Sequence, residues 1–252
     1  MKKQINTGVV SVSFRDRTPF EILTEMKKAD LSFIEWGSDV HAPCHDKEKL
    51  FEIARLQREY DIVCSSYGTY FRFLETPTEE LTSYIDAAKI LGTDVLRLWC
   101  GKKSGMQMTD AEKEALLAEC CAAAKIAKEH GVTLCLECHK NTFTENPDDA
   151  VWLMDQVNSQ NFRMYWQPFQ WQSAKQNVEN AKTIAPYVKH VHVFNWKGGD
   201  KLPLGEAVNE WQEYLKHFSL PRTLLLEFMP DNQLSSLCTE ADALRRIIDG
   251  LV

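Results

Sequence analysis

Basic residues are in deficit in this 252-residue chain: 29 Lys and Arg stand against 36 Asp and Glu, for a formal net charge of −7. Neutralising nucleic-acid phosphates needs a basic surface, so nucleic acid is not expected as the main partner. No apolar run approaches the roughly 20 residues of a membrane span. Met1–Val10 holds two lysines but no apolar stretch of signal-peptide length. The expectation is therefore a cytoplasmic protein without membrane association. Low-complexity linkers and shifts in composition are also missing, and residues 1–252 are read as a single domain. Hydrophobic content of 44% and charged content of 26% are ordinary for a globular protein.

Eight cysteines fit a reducing compartment if they are free thiols at apolar positions. Cys135 and Cys138 form a C-x-x-C that could suggest zinc or redox chemistry. On a strand, however, positions three apart face opposite sides, so the two thiols would not share a metal.

What is present is alternation. Apolar, β-rich runs are expected as strands at Asn6–Ser13, Leu31–Trp36, Asp61–Ser66, Asp94–Trp99, Thr133–His139, Phe162–Gln167, Val188–Phe194 and Arg222–Phe228. Helical patterns separate them. Thr18-Pro19-Phe20-Glu21 and Thr76-Pro77-Thr78-Glu79 read as cap, proline and capping glutamate. Asp46–Tyr60 carries an apolar stripe. Thr109 with Glu112 opens a long helix to His130, and Gly92 and Gly131 are read as stops. Asn146-Pro147 starts the fifth helix, Ser173–Ala185 forms the sixth with Pro186 closing or bending it, and Glu206–Phe218 and Thr239–Leu251 follow. Eight βα units of about 30 residues each match the size of one repeat. The expected fold class is α/β, a single (β/α)8 TIM barrel, with a doubly wound open sheet as the alternative.

The polar residues gather at strand ends. In T-L-C-L-E-C-H-K-N, alternation places Thr133, Cys135, Glu137 and His139 on one face. Glu137, Gln167, His192 and Glu227 each stand near the C-terminal end of an expected strand, where barrel enzymes build their sites. Two carboxylates, an imidazole and an amide oxygen suit a divalent ion such as Mg²⁺ or Mn²⁺ and tolerate Zn²⁺. Read singly, each of these residues also has a plain role: a solvated strand end for either glutamate, a hydrogen-bonded core residue for His192 and a pocket amide for Gln167. His190 shares the face of His192 and lies deeper, and is read as structural. Trp36, Trp99, Trp171 and Trp196 fall near strand ends, and one or two are expected as pocket walls.

The stretches Leu134–His139 (L-C-L-E-C-H), His190–Asn195 (H-V-H-V-F-N), Leu202–Glu206 (L-P-L-G-E), Leu224–Phe228 (L-L-L-E-F) and Ile34-Glu35-Trp36, in this order and spacing, resemble the xylose-isomerase-like barrel superfamily, in particular its sugar-phosphate isomerase and epimerase branch. The resemblance implies one divalent ion (Mn, Mg or Zn) held by Glu137, Gln167, His192 and Glu227. It implies Glu137 and Glu227 as acid and base at a carbon next to a carbonyl, with Glu35, Trp99, His139, Gln170 and Lys197 around a small carbohydrate substrate. It also makes a homo-dimer or tetramer plausible. Two departures stand out: the family's Asp-x-x-His reads Gln167-Pro168-Phe169-Gln170, and its His-x-x-Asp reads His192-Val193-Phe194-Asn195, with Lys197 near the place of an arginine. They leave open an alternative, a barrel that binds carbohydrate with lost or altered catalysis. DNA-repair hydrolysis also occurs in this superfamily, but the acidic balance and the scarcity of ligands for a multi-metal cluster count against it. The resemblance also allows Glu35 a place behind the pocket, with a salt bridge to Arg97 as the alternative, and Lys197-Gly198-Gly199-Asp200 reads as a flexible surface loop or as a grip for a phosphate or acid group.

Overall fold

A computed structural model describes residues 5–219 and 223–251. Eight parallel strands close a barrel: β1 (Asn6–Val10), β2 (Phe33–Gly37), β3 (Val63–Arg72), β4 (Val95–Trp99), β5 (Thr133–Glu137), β6 (Phe162–Trp166), β7 (Val188–Val193) and β10 (Thr223–Leu226). β1 pairs with both β2 and β10, which shuts the ring and excludes the open sheet. Eight helices surround it: α1 (Pro19–Lys28), α2 (Lys47–Glu59), α3 (Leu81–Leu91), α4 (Asp110–His130), α5 (Pro147–Val157), α6 (Ala174–Ile184), α7 (Val208–Leu215) and α8 (Leu237–Asp249). No helix among the described residues is long and apolar enough to cross a membrane.

Two cores follow from strand alternation. Outward-facing residues such as Ile34, Leu96, Leu98, Leu134 and Leu136 pack on the helices. A smaller cluster of Val10, Val12, Val95, Cys135, Tyr165 and Leu225 fills the barrel itself. Cys135 thus faces inward while Cys138 joins the outer core, so the C-x-x-C holds no shared ligand position. All eight cysteines are free.

The helix signals hold at most starts. Thr18, Thr109 and Ser173 form capping boxes with Glu21, Glu112 and Gln176, and the Asn146 side chain accepts from the N–H groups of Asp148 and Asp149. α4 stops at Gly131, whose left-handed φ of 69° a side chain would resist. Thr76 departs from expectation. Its hydroxyl accepts from the Arg72 N–H, and the chain passes through a 3-10 turn at Thr78–Glu80 before α3 begins. Pro186 sits in a 3-10 turn that closes α6. β3 runs six residues beyond its expected end at Ser66, and α7 is shorter than Glu206–Phe218. The expected first residue of the eighth strand, Arg222, lies outside the described residues. The segment read as a loop around Lys197 is instead an antiparallel ribbon, β8 (Asn195–Lys197) with β9 (Asp200–Leu202), joined by Gly198-Gly199.

Candidate active site at the barrel mouth

Charged side chains enter the barrel from the middle of β2 and β4, from the C-terminal ends of β5 and β7 and from the residue after β10. Glu35, Arg97, Glu137, His192 and Glu227 are all buried. The register of β2 on β3 slips next to Glu35, and that of β6 on β7 slips at Tyr165. Such irregularities beside a site re-aim side chains. Phe228 follows Glu227 with a φ of 56°, uncommon for a bulky residue, and its N–H donates to Ser13 Oγ at 2.9 Å.

Arg97 organises this cluster. Its Nε donates to Glu35 Oε1 at 2.8 Å, and its Nη1 donates to Glu137 Oε2 at 2.5 Å. Trp99 Nε1 donates to the same Glu137 oxygen at 2.6 Å. Glu137 therefore has one oxygen saturated by two donors and one, Oε1, turned toward His192. The imidazole Nδ1 lies 3.1 Å from Gln167 Oε1, 3.4 Å from Glu227 Oε2 and 3.8 Å from Glu137 Oε1. Gln167 is oriented by its amide N–H, which donates to Cys138 O at 3.0 Å and leaves the amide oxygen for the site. Glu137, His192 and Glu227 each offer a ligand atom within 4.8 Å of the others. Two carboxylate oxygens, an imidazole nitrogen and an adjacent amide oxygen form a donor set that fits one divalent ion.

Electrostatics separate the two glutamates. Burial pushes the Glu137 carboxyl up, but the Arg97 guanidinium, with His192, outweighs it and holds Glu137 below the usual carboxylate range. Glu35 is held low in the same way by Arg97 and His192. Glu227 goes the other way: burial raises it, His192 opposes, and the Glu137 charge adds to the rise. The His192 imidazole is disfavoured as a cation by burial, yet Glu227 and Glu35 raise its affinity for a proton. His190, one pair deeper, is driven down to about 3 by burial and makes no hydrogen bond, consistent with a structural role.

Above this floor opens a cavity of about 320 Å³ whose walls include Trp99, His139, Gln170, Trp196 and Phe228, with Glu137, Gln167 and Glu227 reaching it from below. His139 stacks on Trp99 at 4.7 Å, and the Arg72 guanidinium lies 3.9 Å from the Trp99 ring centre. Trp36 is packed in the core with its indole N–H on Gln57, and Trp171 is mostly exposed, so two of the four tryptophans are pocket walls. Two expected substrate contacts sit elsewhere. Lys197 pairs with Glu210 at 2.7 Å, away from this cavity, because the ribbon turns it outward. Glu35 is fully buried and is not part of the cavity wall; its carboxylate is taken by Arg97 and by Ser66 Oγ at 2.9 Å. Glu35 thus forms the salt bridge to Arg97.

The residues that sequence reasoning underused are Arg97 and Gly68. A charged residue in the run V-L-R-L-W, on the inward face of β4, was a readable signal. Gly68 was not. A Cβ there would lie 2.7 Å from Glu35 Oε1 and 2.8 Å from Arg97 Nη2, so its hydrogen side chain makes room for the ion pair. Gly68→Ala is expected to lower the thermal midpoint by several degrees, since overpacking costs about 1–3 kcal/mol, and differential scanning calorimetry will read it.

A model of the xylose isomerase-like TIM barrel family matches residues 23–222. Among characterised proteins, 3-dehydroshikimate dehydratase of Bacillus anthracis is 22% identical over 164 residues, 65% of this chain. The match spans 56% of that protein, a little over half its length. Among solved structures, the IOLI protein with a bound zinc atom superposes with a TM-score of 0.78 at 14% identity, covering 98% of this chain and 99% of the other. D-psicose 3-epimerase of Clostridium cellulolyticum, solved with D-tagatose, gives a TM-score of 0.71 at 14% identity, covering 98% and 99%. At these identities the structural likeness is one of fold, and the family match carries the assignment. On that match, and on the closed barrel that bears it out, the chain belongs to the xylose isomerase-like TIM barrel family.

Proposed function

We propose that the protein is a divalent-metal-dependent isomerase or epimerase of a small sugar, sugar phosphate or polyol derivative. The observation that carries this reading is the convergence of Glu137, His192 and Glu227 within 4.8 Å under a cavity lined by aromatic rings. Glu137, Gln167, His192 and Glu227 would hold the ion. When bound, the ion supplies Lewis-acid stabilisation of the negative charge that develops on substrate oxygen.

The residues divide the remaining work. Glu227 carries the proton to and from the carbon next to the carbonyl. Its carboxylate is the one whose proton affinity is raised, and it reaches the cavity directly. Glu137 is the opposing base, held ionised by Arg97 and Trp99 on one oxygen and left open at the other, Oε1. Trp99 and Trp196 cover the carbon face of the substrate, and His139 and Gln170 contact its hydroxyls. A substrate that fills the cavity displaces water, which strengthens the charged contacts below.

The test is deuterium exchange. Purified protein with Mn²⁺, Mg²⁺ or Zn²⁺ in deuterated buffer is offered a panel of ketoses, ketose phosphates and oxidised polyols, and exchange at the carbon next to the carbonyl is followed by proton NMR. Exchange that needs the ion supports the reading; absence of exchange across the panel overturns it. A dehydratase reading is favoured by the resemblance to 3-dehydroshikimate dehydratase, and uses the same proton abstraction followed by loss of hydroxide from the adjacent carbon. Release of a conjugated enone, seen by ultraviolet absorbance, would select it.

Gln167 supplies a second expectation. It is neutral where the family has a carboxylate, so Gln167→Asp raises the negative charge of the ligand set from two to three. Mn²⁺ affinity is expected to tighten, about tenfold or more, by isothermal titration calorimetry. Unchanged or weaker affinity would mean that Gln167 is not a ligand.

A further inference from the structure

The ring of His192 presents two different edges. Nδ1 faces the three oxygens of Gln167, Glu227 and Glu137. Nε2 is buried, makes no hydrogen bond, and has Glu35 Oε2 opposite it at 3.6 Å. Tyr165 packs against the ring with centroids 4.9 Å apart and planes at 61°, which limits its rotation. Glu35 is fully buried, and its two oxygens are fixed by Arg97 Nε and Ser66 Oγ. Oε2 accepts once from Ser66 and retains a second acceptor site. A shift of roughly half an ångström would bring Nε2–H to hydrogen-bond distance.

We propose that Glu35 is a positioning residue that keeps a proton on His192 Nε2 and so leaves Nδ1 free to bind a metal ion. This rests on the metal reading above. A metal-binding imidazole commonly donates its other N–H to a carboxylate, which fixes tautomer and ring orientation. The clamp on Glu35 extends that support by one more layer: Arg97 and Ser66 hold Glu35, Glu35 holds the imidazole, and the imidazole faces the ion. Arg97 also holds Glu137, so one guanidinium orients two of the groups around the site.

Glu35→Gln discriminates sharply because of the donors already in place. Arg97 Nε requires an oxygen at the Oε1 position, so the glutamine amide must turn its NH2 toward Ser66 and His192. An N–H donor facing Nε2 makes that nitrogen an acceptor, and the ring proton moves to Nδ1, where it blocks the metal. Long-range ¹H–¹⁵N spectra of ¹⁵N-histidine-labelled protein, with His192→Asn for assignment, read the tautomer directly. The zinc-loaded wild type is expected to show Nε2–H with Nδ1 coordinated, and Glu35→Gln is expected to lose the Nε2 proton. Zn²⁺ affinity by competition titration should fall about 10–100-fold, the usual effect of losing such a partner.

An Nε2 proton that persists in Glu35→Gln, or an affinity loss with the tautomer unchanged, overturns the proposal. If Glu35→Gln does not fold, the wild-type spectrum still decides, since Nδ1–H in the zinc-loaded protein rejects it. Failure of the metal reading has a different signature: wild type binds no Zn²⁺, while the Nε2 proton still depends on Glu35.

Discussion

Glu227→Gln is expected to reduce proton exchange by about 10³-fold, within the range that general acid–base groups contribute. The protein is not expected to lose stability. Glu227 is buried near Glu137, its neighbour's charge raises its proton affinity, and it accepts no hydrogen bond from Arg97. Removing a charge that burial and a like neighbour both disfavour should leave the thermal midpoint unchanged or higher. Activity lost with stability kept separates a reacting group from a packing one. Exchange measured by NMR alongside calorimetry checks both halves, and retained exchange would remove Glu227 from the chemistry.

Arg97→Met is expected to have the opposite profile. It strips the cation from two buried carboxylates, Glu35 and Glu137. Breaking a buried pair by removing one partner costs about 3–5 kcal/mol, which for a chain of this size lowers the midpoint by on the order of 10 °C. The pH dependence gives the mechanism its sign. In the wild type both carboxyls are held below their unfolded values, so their contribution is present above about pH 4.3 and is lost as pH falls through the folded values. In Arg97→Met burial acts without the cation, so the folded values rise above the unfolded ones. The variant is then favoured at low pH and loses stability as pH rises. The gap between the two proteins should widen from pH 5 to pH 8, measured with a chelator present so that no ion takes the place of the guanidinium. A constant gap would mean that Arg97 acts through packing alone.

The barrel was readable because its signals are local and repeated. Capping boxes at Thr18, Thr109 and Ser173 and the left-handed stop at Gly131 depend on residues within a turn of one another. Glu137, Gln167, His192 and Glu227 were readable from their places at strand ends, and the fold brings all four to one point. The remaining expectations part from the structure in different ways. Thr76 looks like a cap, but its hydroxyl is claimed by Arg72. Lys197 reads as part of a surface loop or a grip for an acid group, but the ribbon points it at Glu210. Glu35, open to a place in the pocket or behind it, stands behind His192 on Arg97. Arg72 is only four residues from Thr76, whereas the partners of Lys197 and Glu35 lie farther along the chain, and periodicity carries no trace of them.

The saturated oxygen of Glu137 bears on handedness. With Arg97 and Trp99 bound to that oxygen, Glu137 keeps its charge more readily than Glu227, whose proton affinity burial raises. Hydrogen drawn from solvent through Glu227 alone would enter the product with a single chirality. Inverting a centre needs a second courier on the opposite side, and the Glu137 oxygen that Arg97 and Trp99 leave uncovered, Oε1, is the one placed to serve.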